Sequence, residues 1–542
     1  MRELPARRAW LVAFVVVNFL SFPHPIAGRV LDLGLFVSWL SPAFLILGLR
    51  GLAPRAAGRT GFVWGLVAHS AILHWIYVVT VTYGHAPAVV GWIAPVLLAC
   101  YSAIAVSLFA AAAAWLARRG ASGPLALALL WTAVDHARSF ALSGWPWATI
   151  GYAQHENTLL LGWAAWGGVY ALSFWTVLVG AGLAAAWPAL RTGSRPPLEA
   201  SIAMAAGIVA HAMGPLLAPP ELPADAPRLR VAALQGNIDQ GAKWDPDWAL
   251  RTRDVYADLT REAVAAGAEI VVWPETAMPT VIELQPELWD WLSGLAEETG
   301  ATLIVGAVGA TVDPAVGHIS HFYDSAFVFA GDGEFLGRYD KSHLVPFGEY
   351  VPLRALLGRF FAAVASGIAA SDVSPGAGPR AFALGDPTSG ERPTLVGVPI
   401  CYELLFPDLV RRFVADGAGV LFAMTNDAWY GRTGAPYQFL AMTSLRSAET
   451  GIWTVRAANT GVSAVIDETG RVRQQTPIFE RDWLVADVPL RLPEAQMTFY
   501  ARHGDVFAAA CWIGIAAIAA VAALRSRGIQ TLKSRQGKTT DE

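Results

Sequence analysis

Eight apolar runs dominate the chain, at 10–27, 31–49, 61–81, 88–116, 123–143, 158–187, 199–218 and 505–524. A helix crosses a bilayer core roughly 30 Å thick with about 20 apolar residues, so each run predicts a membrane-spanning helix. The fourth and sixth are long enough to cross with tilt. The first follows a short basic stretch and reads as an uncleaved anchor, because further runs succeed it at once. Between the seventh and eighth runs the pattern changes. Short β-type runs at 229–234, 269–273, 302–308, 325–330, 394–398, 419–424 and 453–457 alternate with helical stretches. One of these, 247–266, sets Leu250, Val255, Leu259 and Ala263 on roughly one side. Such alternation predicts a layered α/β domain. The expected organisation is a multi-span α-helical membrane domain of about eight transmembrane helices, seven of them in 1–218, then a linker rich in proline and alanine at 219–227. A soluble domain over 228–500, the last helix at 505–524 and a tail at 525–542 complete it.

Basic residues collect in alternate gaps between the runs. Arg2, Arg7 and Arg8 precede the first, Arg50, Arg55 and Arg59 follow the second, Arg118 and Arg119 the fourth, and Arg191 and Arg195 the sixth. Arg525, Arg527, Lys533, Arg535 and Lys538 fill the tail. The other gaps are nearly bare, with Arg29 alone in the first and no Lys or Arg in 83–87 or 145–158. Cytoplasmic loops carry the excess of Lys and Arg, so both termini are expected in the cytoplasm. The soluble domain then faces the opposite side, which for a bacterial inner membrane is the periplasm.

Composition narrows the class. Of 542 residues, 54% are hydrophobic and only 15% charged, against roughly 25% charged in a soluble domain. A net charge of −4, with no basic cluster on a folded surface, gives no sign of a nucleic-acid partner. Charges inside a span are costly and are usually paired, so Asp135 and Arg138, three apart, are expected to pair on one helix face. His24, His69, His74, His85 and His136 occur in or near spans without ligand spacing, and no bound metal is expected. Cys100 and Cys511 lie inside apolar runs as small core fillers, whereas Cys401 is the one cysteine outside them.

Three β-type runs end in chemically capable residues. The first leads into Pro274-Glu275-Thr276, the second into Cys401-Tyr402-Glu403, and the third into Asn426-Asp427. Sites in open α/β sheets gather beyond the strand carboxyl ends, so these residues are candidates to converge. Between the first and second lies a polar segment, punctuated by Pro and Gly, that carries Lys341 and Glu349. Spacing alone does not unite residues about sixty positions apart.

WPET (273–276), the Lys341 segment and GVPICYE (397–403) resemble the signature blocks of the nitrilase, or carbon-nitrogen hydrolase, superfamily. LQGNIDQGAKW (234–244), YDKSHLVPFGEYVP (339–352), CYELLFPDL (401–409), TNDAWYG (425–431) and RAANTGVSAVID (456–467) resemble the apolipoprotein N-acyltransferases. The resemblance implies a nitrilase-like αββα sandwich inserted before the last span. It implies acyl transfer through a Cys401 thioester, with Glu275 as general base and Lys341 stabilising thiolate and oxyanion beside the Tyr402 backbone N–H. Glu349 would support the lysine, Tyr402 and Glu403 would orient substrate, Trp244 would cover acyl chain or headgroup, and Asn426 would bond within the pocket. A phospholipid donor such as phosphatidylethanolamine, a diacylglyceryl-apolipoprotein acceptor and no cofactor are further implications. Soluble relatives use the same three residues to hydrolyse nitriles or amides, so a membrane-tethered amidase is the alternative. A catalytically dead binding or transport protein fits less well, because the spans hold few ionisable residues. The apolar stretch 353–370 is expected to form an arm or lid on the membrane face, with an ordinary buried helix as the alternative.

Overall fold

Backbone polar groups in hydrocarbon must be satisfied within their own segment, and helix is what an unbroken apolar run can form there. The computed structural model describes residues 3–241, 243, 246–313, 318–352, 373–384, 394–492 and 496–538. They divide into two units, one of Met1–His74, Pro95–Leu217 and Asp505–Glu542, the other of Trp75–Ala94 and Ala218–Gly504.

The first unit is helical apart from a short antiparallel pairing of His24–Ile26 with Arg29–Leu31. Among the described residues, four helices are long and apolar enough to cross a membrane: Ala88–Ala117, Leu161–Thr192, Leu198–Leu217 and Val506–Ser526. That is short of the expected eight, and the local reasons differ. Glu3–Leu20 takes Arg7 and Arg8 into its first turns. The run at 31–49 breaks into Gly34–Val37 and Leu40–Leu49. Pro54–Ile72 begins with Arg55 and Arg59, and Pro124–Ala137 has only 14 residues. Where helices meet, small residues let backbones approach. A Cβ at Gly180 would come within 2.5 Å of the Trp39 carbonyl oxygen. Asp135 and Arg138 do pair, at 3.4 Å. Asp135 also accepts from Ser173 Oγ and Trp131 Nε1, at 3.0 and 3.1 Å.

The second unit holds two sheets. Its strands are β1 (Arg228–Gln235), β2 (Ile270–Val272), β3 (Met278–Val281), β4 (Thr302–Asp313), β5 (His318–Phe329), β6 (Phe335–Asp340) and β7 (Phe382–Leu384). They continue with β8 (Thr394–Gly397), β9 (Val420–Thr425), β10 (Thr454–Ala458), β11 (Ala464–Ile466), β12 (Val472–Gln475) and β13 (Asp482–Pro489). One sheet runs β13-β1-β2-β4-β5-β6, with β3 alongside β4, and the other runs β12-β11-β10-β9-β8-β7. The sheets face each other through β1 and β10. Helices α1 (Pro246–Ala265) and α2 (Pro286–Thr299) cover the first sheet, and α3 (Pro407–Ala415) and α4 (Ala435–Thr450) lie with the second, giving the layered αββα order. The central strands are parallel and apolar on both faces, as strands covered on both sides must be. The predicted face of α1 is real at Leu259 and Ala263, which are buried, but Leu250 is exposed. Residues Trp75–Ala94 pack with this unit: Trp75 meets Tyr430 edge-on at 4.9 Å and Tyr83 meets Trp429 at 6.2 Å.

Candidate active site

Glu275 stands just beyond β2, in a turn that lies against β4. The turn fits because β4 has glycine there: a Cβ at Gly306 would come within 2.2 Å of the Pro274 carbonyl oxygen. Thr276, next in the turn, has φ +48°. Cys401 opens the short helical turn Cys401–Leu405, and its own φ is +46°. A non-glycine residue held in the left-handed region costs on the order of 1–3 kcal/mol, so neighbouring bonds must enforce it. Glu403 does this. Its carboxylate is fully buried and accepts the Ile400 N–H at 2.8 Å, the Ser342 N–H and hydroxyl at 2.7 Å each, and the Tyr339 hydroxyl at 2.7 Å. One acidic side chain thereby ties the cysteine turn to the segment after β6.

That segment begins with Lys341, which is 0% exposed. Its ammonium donates to Glu275 Oε1 at 2.9 Å, Asp324 Oδ2 at 3.3 Å and Glu349 Oε1 at 2.5 Å. Three carboxylate oxygens within 4.8 Å of one another would suit a metal ion, but here the lysine nitrogen is bonded to all three residues. Glu349 also accepts the Val345 N–H at 2.8 Å, which closes the loop on the lysine. Tyr402 is buried and stacks on His343 at 5.6 Å. Asn426 donates to Gln240 at 2.8 Å and accepts from Asn459 at 3.2 Å, bracing a junction between the sheets. Trp244 and the stretch 353–370 lie outside the described residues.

Charge inside the cluster is unevenly held. Burial pushes Glu275 up, but Lys341 and hydrogen bonds from Asp324, Lys341 and the Cys401 thiol bring its carboxyl below the usual range. Burial and the Glu275 charge drive Asp324 well above it. Glu349 is raised by burial, only partly offset by Lys341. Lys341 itself is desolvated, yet its three carboxylates push it well above the ordinary lysine value. Burial, then the Glu275 charge, carry the Cys401 thiol well up. Burial and charge together thus favour a neutral thiol beside an ionised Glu275, and they favour the protonated form of Asp324. Chemically, it can remove a thiol proton as the sulfur attacks; it does not store a thiolate.

Glu275, Lys341, Glu349, Cys401 and Glu403 therefore meet, while Asn426 sits in a bracing network. Two members of the cluster escape a reading of the sequence. Asp324 is a lone acid inside β5, and Lys243, whose ammonium donates to the Glu275 backbone oxygen at 3.1 Å, carries no signal beyond its place in the block 234–244.

Residues 230–514 match the carbon-nitrogen hydrolase family, and residues 10–182 match the apolipoprotein N-acyltransferase N-terminal domain. The chain is 38% identical over 530 residues to the apolipoprotein N-acyltransferase of Geobacter metallireducens, with 95% of each chain covered. It is 35% identical over 478 residues to that of Azotobacter vinelandii, covering 85% of this chain and 86% of the relative. Among solved structures, an amidase from Nesterenkonia sp. matches with TM-score 0.36 and 21% identity, over 54% of this chain and 99% of the amidase. Matched along both its membrane and its catalytic parts, the chain belongs to the apolipoprotein N-acyltransferase family.

Proposed function

We propose that this enzyme moves one acyl chain from a phospholipid to Cys401, as a thioester, and then to the N-terminal α-amine of an S-diacylglyceryl-cysteine lipoprotein. The observation that carries the reading is a fully buried lysine bonded to three carboxylates, Glu275 among them, in the same cluster as a buried thiol whose charge state Glu275 and Lys341 control. In the first step Cys401 Sγ attacks the ester carbonyl carbon while Glu275 takes the thiol proton. The tetrahedral oxyanion collapses, the bond to the glycerol oxygen breaks, and Glu275 returns the proton to that oxygen. In the second step the α-amine nitrogen attacks the thioester carbonyl and Glu275 takes a proton from it. The carbon–sulfur bond breaks, Glu275 passes that proton to the departing sulfur, and an amide and a free thiol remain. An α-amino group has a pKa of roughly 7.7–8.0, so an appreciable neutral fraction is present near pH 7.

Each neighbour has a task in this scheme. Lys341 keeps Glu275 ionised, Glu349 holds Lys341, Glu403 shapes the cysteine turn, and Tyr402 offers its backbone N–H to the oxyanion. Trp244 is assigned to the acyl chain or headgroup, and Asn426 to the pocket wall. Phosphatidylethanolamine is the proposed donor. The proposed topology has about eight membrane crossings, both termini in the cytoplasm and the catalytic unit in the periplasm of a bacterial inner membrane. The alternating basic gaps support it. A site anchored at the bilayer takes an acyl chain without lifting the lipid out, each buried methylene being worth about 0.8 kcal/mol.

The deciding test is acceptor dependence. Enzyme acylated by labelled phospholipid should lose the label to a diacylglyceryl-cysteine peptide much faster than to buffer. Equal loss to water would make it a membrane-tethered amidase.

A further inference from the structure

An oxyanion needs donors with N–H groups to give, and Lys341 has none left. Its three N–H bonds are engaged by Glu275, Asp324 and Glu349, and an ammonium has only three. A second lysine is buried in the same place. Lys243 is 3% exposed, and among the described residues its side chain makes one hydrogen bond, to the Glu275 backbone oxygen at 3.1 Å. Two of its three donors are thus not engaged by any described protein group. A buried donor without a partner is expensive, so such a side chain is there to meet something that enters. Its surroundings say what. Glu275, Asp324 and Cys401 are the titratable groups whose charges act on it, and its bond to the Glu275 backbone oxygen places the ammonium against the residue proposed as base. Its backbone N–H bonds to the Asp239 carbonyl at 2.9 Å, which fixes where the side chain starts.

We infer that Lys243 is a catalytic residue, donating to the carbonyl oxygen of the acyl group as that oxygen becomes an oxyanion. This rests on the thioester reading above. As the carbon–sulfur bond forms, the carbonyl electron pair moves to oxygen, and the Lys243 N–H bonds hold it. When the pair returns and the glycerol oxygen leaves, those bonds relax and Lys243 keeps its proton. Lys341 and Lys243 thereby divide two tasks: one holds the base ionised, the other receives the developing charge. Burial pushes Lys243 down to about 8, against the pull of Glu275, Asp324 and Cys401. It is therefore protonated near neutrality and loses its proton just above.

The experiment measures acylation alone, so that the acceptor amine plays no part. Detergent-solubilised full-length enzyme is mixed with phosphatidylethanolamine carrying a labelled acyl chain, and the Cys401 adduct is timed. Lys243→Met should slow acylation about 10²–10³-fold with little change in KM, the effect of losing one oxyanion donor. In wild type the rate should fall as pH rises through about 8. Lys243→Arg should retain acylation and move that fall upward by more than a pH unit. If Lys243→Met acylates at the wild-type rate, the inference is wrong. If Lys243→Met fails to fold, the Lys243→Arg profile decides, and an unmoved alkaline fall overturns it. Wild type that never labels Cys401 overturns the thioester reading and this inference with it, whereas normal labelling in both wild type and Lys243→Met overturns the inference alone.

Discussion

Glu403 accepts both the backbone N–H and the hydroxyl of Ser342 at 2.7 Å, although the two residues are 61 positions apart. Its other oxygen accepts the Ile400 N–H at 2.8 Å. The Cys401 turn and the lysine segment are therefore tied together by a single carboxylate that is fully buried. Its task is positioning, and the strained φ of Cys401 is what it maintains.

Glu403→Ala should cost on the order of 3 kcal/mol of stability, because it orphans N–H groups at Ile400 and Ser342 that now bond to a charged group. Glu403→Gln should recover much of that stability, yet acylate Cys401 at least tenfold more slowly, since an amide nitrogen cannot accept. Chemical denaturation and adduct timing on the same two variants check both statements.

Cys401 should alkylate slowly near neutrality. Burial and the Glu275 charge raise its thiol, so the thiolate fraction keeps growing with pH beyond the ordinary thiol range. In a Cys100→Ala, Cys511→Ala background, the iodoacetamide rate should still be climbing at pH 9. A rate already level at pH 7 would mean a stored thiolate.

Asp324→Asn should fold at least as well as wild type and keep acylation within about tenfold, because a protonated acid and an amide both donate. The pH dependence has a definite sign. Asp324 has a folded pKa above its unfolded value, so it binds more protons when folded, and wild-type stability is eroded as pH rises from about 4. The variant lacks that loss, and its advantage in denaturation midpoint should grow from pH 4 towards neutrality. Asp324→Ala, which removes the donor to Glu275 at position 324 and leaves Lys341 and the Cys401 thiol, should lose activity.

Asp135 and Arg138 form a buried pair whose guanidinium also donates to the Trp145 carbonyl at 3.3 Å. Removing either partner alone strands a buried charge, at about 3–5 kcal/mol. The double variant Asp135→Leu, Arg138→Met should therefore give more folded protein than either single change, measured as the monodisperse fraction in detergent.

Glu275 and Cys401, the proposed reacting groups, are readable because each stands where an apolar run stops, Glu275 beyond a parallel strand of one sheet and Cys401 beyond a parallel strand of the other. Asp324 is not. Flanked by Tyr323 and Ser325 in β5, it looks like the solvent side of an antiparallel strand, and only tertiary folding turns it toward Lys341. Strand β12 is VRQQ and wholly exposed, so it offers no hydrophobic signal. Helix α4 is buried all round, which erases the one-sided pattern that would mark it. The membrane runs were visible as apolar stretches, but hydropathy alone could not show that 31–49 breaks into two helices. The task of Lys341 also needed coordinates, because only they reveal three carboxylates on one ammonium.

The most direct measurement maps the acyl adduct after a single turnover with labelled phospholipid and no acceptor. Wild type should carry one hydroxylamine-sensitive acyl group on Cys401, and Glu275→Gln should form it about 10²–10⁴-fold more slowly, the usual worth of a general base. Label on another residue, or equal rates for the two proteins, would contradict the account.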